Sequence, residues 1–153
     1  MIDEKLTPNF WLSEFVQSET AERAGISNEP EGEALQNLRA TTAPGMQRVR
    51  NLLGCPVLVS SGYRSPELNR RIGGSPTSGH MKGLAVDFRA PSYGPPLRVA
   101  QRILEHASEI RFDQLIHEGS WIHISFHPTA PRGQVLTAHF NNDGKANYSA
   151  GLA

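Results

Sequence analysis

The segment Ser78-Gly79-His80-Met81-Lys82-Gly83-Leu84-Ala85-Val86-Asp87 carries a histidine and an aspartate with six residues between them, and Trp121-Ile122-His123 supplies a second histidine. Two imidazoles and one carboxylate make a donor set for a hydrolytic zinc centre. Three protein ligands leave a fourth tetrahedral position for water, which a closed structural site does not. Each residue also has a plainer reading. A histidine in a small-residue loop is commonly just exposed, Asp87 near a core could be satisfied by arginine, backbone amides or metal, and His123 could be a hydrogen-bonded core histidine. Other first-row ions accept the same ligands, with zinc the default.

The residues before His123 offer a base. Gly119-Ser120 separates two runs, Phe112 to Glu118 and Trp121 to Phe126, as a two-residue Gly-X hairpin connection. That turn pairs Glu118 with Trp121, His117 with Ile122 and Ile116 with His123, so Glu118 shares a face with His123 while His117 points the other way. Glu118 is thus the expected group to take a proton from water and deliver it to a leaving amine. A β-bulge would reverse the choice, and a solvated turn residue is the alternative. Arg64, in the loop Gly62-Tyr63-Arg64-Ser65, could hold a substrate carboxylate or polarise a carbonyl. Ser78 could hydrogen-bond a substrate or simply shape the loop, and Tyr63 and Asn69 read as structural.

Particular elements must position these groups. Val57 to Ser61 reads as a strand ending at the Arg64 loop, and Ser65-Pro66 as the cap and first turn of a helix. Leu84, Val86 and Phe88 alternate with Ala85 and Asp87, which turns Asp87 away from an apolar row. Trp121, His123 and Ser125 likewise oppose Ile122, Ile124 and Phe126. Helices are expected before and between these strands: short pieces in the first third capped by Ser13 or Thr20, a longer segment from Glu31 through Leu53 that Pro44-Gly45 kinks or divides, and an amphipathic helix from Pro96 to Ile110. Residues 141–153, rich in Asn, Gly, Ser and Ala, read as a loosely held tail.

The 153 residues suit a single domain, 1–153, with its own core. Fifteen basic against 15 acidic residues leave no basic footprint, so no nucleic-acid or membrane partner is expected. Cys55 is the one cysteine, which excludes an intramolecular disulfide and a thiolate zinc cluster, and it reads as a buried small hydrophobe. Met1-Ile2-Asp3-Glu4-Lys5-Leu6 lacks the basic-then-apolar pattern of a signal peptide. The expectation is a monomer made in the cytoplasm without a signal peptide, reaching any outside substrate by another route.

Ser61-Gly62-Tyr63-Arg64-Ser65 with Asn69, then Gly73-Gly74, Ser78-Gly79-His80, Gly83, Ala85 and Asp87, then Trp121-Ile122-His123-Ile124-Ser125, resembles the zinc D-Ala-D-Ala carboxypeptidase family of metallopeptidases in order and spacing. Phe10-Trp11-Leu12-Ser13-Glu14-Phe15 and Asn28-Glu29-Pro30 resemble its phage and prophage branch. The resemblance implies an α+β fold of Hedgehog/DD-peptidase type, a small antiparallel sheet with helices packed around it and one zinc on the sheet held by His80, Asp87 and His123. It further implies hydrolysis of peptidoglycan stem peptides or cross-links, service as a phage endolysin, Arg64 on substrate or oxyanion, and Ser78 in the substrate cleft. Many members carry the acidic base three residues before the last histidine. That position is Ser120 here, and the nearest carboxylate is Glu118, five before. A zinc-stabilised binding module with little hydrolysis is the alternative, and a metal-free structural protein would require the three ligands to lie apart.

Overall fold

Residues 3–153 are described by the structure, a computed structural model, and they form an α+β arrangement of helices with a mixed sheet. A short ribbon, β1 (Lys5–Thr7) with β2 (Phe10–Trp11), leads into α1 (Leu12–Val16) and α2 (Glu19–Ala24). Ser18, rather than Ser13 or Thr20, caps α2 by accepting the Ala21 N–H, while Ser13 lies inside α1 with its hydroxyl on Asp3. No helix among the described residues is long and apolar enough to cross a membrane.

The segment expected from Glu31 to Leu53 is divided as Pro44 demands. Following α3 (Gly32–Asn37), residues Leu38–Thr42 form a π-helical turn, and α4 (Ala43–Leu53) then begins with Pro44 in its first turn. A proline inside a regular helix removes one hydrogen bond and crowds the carbonyl four residues back; the wider turn relieves both conflicts. Gly45 completes the solution, because a side chain there would collide with the Phe126 ring.

The larger sheet runs β3-β4-β6-β5-β7-β8 in space, from β3 (Leu58–Ser61), β4 (Ala85–Arg89), β5 (Gln114–His117), β6 (Ile122–Ser125), β7 (Gln134–Phe140) and β8 (Ala146–Ala150). It is not wholly antiparallel. The β7 strand returns on the free side of β5 and runs parallel to it, a long-range pairing that no hairpin signal announces. Residues 141–153, expected to be a loose tail, instead carry β8, an edge strand paired with β7 from Leu136↔Ala150 to Phe140↔Ala146.

Alternation gives the sheet a core face and a site face. Val86, Phe88, Leu115, Ile122 and Ile124 are fully buried and share the main apolar cluster with Met46 and Val49 of α4 and with Val99 and Ile103 of α6 (Pro96–Glu105), which follows the Ser65-capped α5 (Pro66–Arg71) in the chain. Each such side chain contributes about 1.5–3 kcal/mol by leaving water. The helix expected to reach Ile110 breaks at His106, and a further turn, α7 (Ala107–Ile110), keeps Ile110 buried. Cys55 is partly buried against the same cluster.

Candidate metal centre

Sheet register brings the carboxylate and one imidazole together. Asp87 of β4 lies directly opposite His123 of β6, on the face away from Val86, Phe88, Ile122 and Ile124. His80 arrives from outside the sheet, in a 3₁₀ turn (Gly79–Lys82) whose start is fixed by the Ser78 hydroxyl accepting the His80 N–H at 3.2 Å. Ser78 therefore shapes the loop, and it also lines the cleft over the centre.

The three side chains offer ligand atoms that all lie within 4.8 Å of one another. Asp87 Oδ1 is 2.9 Å from His123 Nδ1 and 3.4 Å from His80 Nε2. Two ligands of a tetrahedral ion, each about 2.0–2.1 Å from it, stand about 3.3 Å apart, so these separations suit one zinc-sized ion. The tautomer of His80 suits it too. Its Nδ1 donates to the Gly62 carbonyl at 2.7 Å, which leaves the Nε2 lone pair facing Asp87. The residues present fit a divalent ion with a borderline nitrogen and oxygen preference.

Electrostatics favour an ionised Asp87. Burial opposes its charge, but the hydrogen bond from His123 and the neighbouring His80 ring outweigh burial and hold the carboxyl well below the usual range. Arg64 Nη2 adds a contact at 3.5 Å to Oδ2, a pairing that sequence spacing did not reveal. The guanidinium is tethered by Nε to Ser61 Oγ at 3.1 Å and by Nη1 to Asn69 Oδ1 at 3.2 Å, and the Asn69 amide donates to the Ser75 carbonyl. Asn69 is the structural brace that its position suggests. A side chain at Gly74 would strike both Asn69 Oδ1 and Arg64. Gly74→Ala is accordingly expected to cost about 1–3 kcal/mol in equilibrium urea unfolding.

Glu118 stands where the hairpin register puts it. Ile116 pairs with His123 and His117 with Ile122, without a bulge, and the Glu118 N–H donates to the Trp121 carbonyl at 3.0 Å. The turn closes tightly about Gly119 (φ 83°), with the Ser120 N–H reaching the Glu118 carbonyl. Glu118 is only 9% exposed, and burial pushes its carboxyl up despite the opposing influence of His123. Ser120 is exposed at the turn.

These groups share a cleft of about 690 Å³ that also holds Arg64 and Ser78. Its far wall consists of residues that composition did not single out: Leu136 and Phe140 of β7 and Tyr148 of β8, with Trp121 and Phe140 rings 6.3 Å apart. The pairing of β7 with β8 brings Tyr148 there, and a polar stretch read alone carries no such signal. A buried carboxylate beside three convergent ligands can move a proton next to a Lewis acid. The Peptidase M15 family model matches residues 8–125, well over half of the chain, including His80, Asp87, Glu118 and His123. No curated protein matches the chain.

Proposed function

This chain belongs to the peptidase M15 family, and we propose that it is a zinc metallopeptidase that hydrolyses peptide bonds in the stem peptides or cross-links of bacterial peptidoglycan. The convergence of His80, Asp87 and His123 beside the buried Glu118 in one cleft carries this reading. The order of motifs along the chain supports a fold of Hedgehog/DD-peptidase type, and on this reading the protein is a phage endolysin that acts as a monomer on wall peptides.

When bound, zinc supplies Lewis-acid chemistry, acidifying water and polarising a carbonyl oxygen. The chain's residues do the rest. His80, Asp87 and His123 hold the ion, with the His80 ring oriented by the Gly62 carbonyl. The Glu118 carboxylate takes a proton from the attacking water as the new C–O bond forms, and passes it to the amine nitrogen as the C–N bond breaks. Arg64, held by Ser61 and Asn69, turns its free donor capacity to the substrate carbonyl or carboxylate. Its 3.5 Å contact to Asp87 is longer than a charge-assisted hydrogen bond, so a substrate oxygen competes for it. Ser78 lines the peptide's path.

Incubating purified peptidoglycan with the protein tests the reading. Chelator-sensitive release of peptide fragments, restored by added zinc, is the expected result, and the new termini identify the bond. Release that chelator does not affect would overturn the metal assignment. Stoichiometric zinc with intact wall peptides would favour a binding module instead.

A further inference from the structure

Beyond the metal centre lies a cavity of about 210 Å³ whose walls include Arg48, Arg111, His127, Thr41, Thr129 and Phe126. Among the described residues neither guanidinium has an acidic partner. The arginine–carboxylate pairs among the described residues use Arg23, Arg39, Arg64, Arg102 and Arg132. Arg48 is nevertheless held in place, donating through Nε and Nη2 to the Ile110 carbonyl with its guanidinium 5.9 Å from the Phe126 ring centre. His127 Nδ1 accepts backbone N–H groups from Thr129 and Ala130, which leaves Nε2–H as the ring's donor. Burial and the charge of Arg111 both disfavour the charged form of Arg48, as expected where two cations face one space without an anion.

Two backbone features coincide here. Arg111 is the one non-glycine residue with positive φ (58°) among those described, a conformation costly for a side chain of this kind. Thr41 belongs to the π-helical turn, a local irregularity that often marks function. The cavity is also linked to the metal cleft. A groove containing Lys82 shares His123 and Gln114 with the cleft at one end and Phe126 and His127 with the cavity at the other. Asp113 flanks that groove, but Arg132 engages both its oxygens.

We propose that the Arg48–Arg111–His127 cavity is a carboxylate-binding subsite for the substrate, taking a free carboxylate of the wall peptide a few residues from the bond that is cut. The subsite rests on the peptidase reading for the identity of its ligand. His127 lies four positions after His123, on the order of 13 Å of extended chain, a span covered by three or four residues of an extended peptide.

Calorimetric titration of the full chain with a stem peptide bearing free carboxylates, and with its amidated form, tests the subsite without requiring turnover. Arg111→Asn is the informative variant, since asparagine tolerates the left-handed backbone and withdraws the guanidinium from the cavity. Binding of the carboxylate form should weaken about tenfold in Arg111→Asn, while the amidated form, already about tenfold weaker on the parent, should not change; Arg111→Lys should recover part of the loss. Equal losses on both peptides, or none, would overturn the subsite. So would inorganic phosphate binding that Arg111→Asn abolishes while peptide affinity stays constant, since that outcome assigns the cavity to phosphate. Failure to hydrolyse peptidoglycan would refute the peptidase reading separately.

Discussion

Glu118→Gln should retain stoichiometric zinc and lose hydrolysis of wall peptides by about 10²–10⁴-fold, the usual contribution of a positioned proton-transfer group. Apart from Asp87, Glu118 is the one carboxylate lining the cleft among the described residues. Ser120, at the position where many relatives carry an acid, is an exposed alcohol and does not replace it. Burial pushes the Glu118 carboxyl up, which makes its ionised form a stronger base than a solvated glutamate. The same burial has a stability consequence. A carboxylate whose folded pKa lies above its unfolded value of about 4.5 destabilises the fold once pH rises past that value, and costs nothing where both states are protonated. Metal-free Glu118→Gln protein should therefore melt higher than the parent at neutral pH, with the difference fading below about pH 4.5. Zinc analysis, kcat/KM on a wall peptide and thermal melts at two pH values check all three outcomes. Undiminished turnover would move the proton transfer to another group.

Local rules carried the sequence reading as far as one hairpin and one strand. Two turn residues fix which residues pair across them, so the common face of Glu118 and His123 follows from Gly119-Ser120 alone. Alternation likewise turns Asp87 from the Val86–Phe88 row. What alternation leaves open is which strand lies beside which. The Asp87↔His123 pairing, the parallel union of β5 with β7 and the return of β8 all join distant parts of the chain. β8 was hardest to foresee, since an edge strand needs main-chain partners more than apolar side chains, and Asn147 to Ala150 are exposed. For the same reason Tyr148 was invisible as a wall of the cleft. Arg64 was singled out for its planar fork, but its contact with Asp87 depends on how a loop folds back over the sheet, which spacing does not encode.

That contact separates the expected effects of losing each ligand. Asp87→Ala should abolish stoichiometric zinc binding and also destabilise the metal-free protein by about 1–3 kcal/mol, because the largely buried Arg64 guanidinium keeps Ser61 and Asn69 but loses its carboxylate. His123→Ala should abolish zinc binding with a smaller loss of metal-free stability, since Asp87 keeps both Arg64 and His80 as partners. The pH dependence distinguishes them further. Hydrogen bonds hold the Asp87 carboxyl below its ordinary value, so its stabilisation is fully present above about pH 4 and is lost as pH falls through the lowered pKa. Asp87→Ala should flatten that acid limb in urea unfolding, whereas His123→Ala should only shrink it, because the His80 ring and Arg64 remain beside the carboxylate. An Asp87→Ala protein as stable as the parent without metal would mean that Arg64 finds its partner elsewhere and that the carboxylate serves the ion alone.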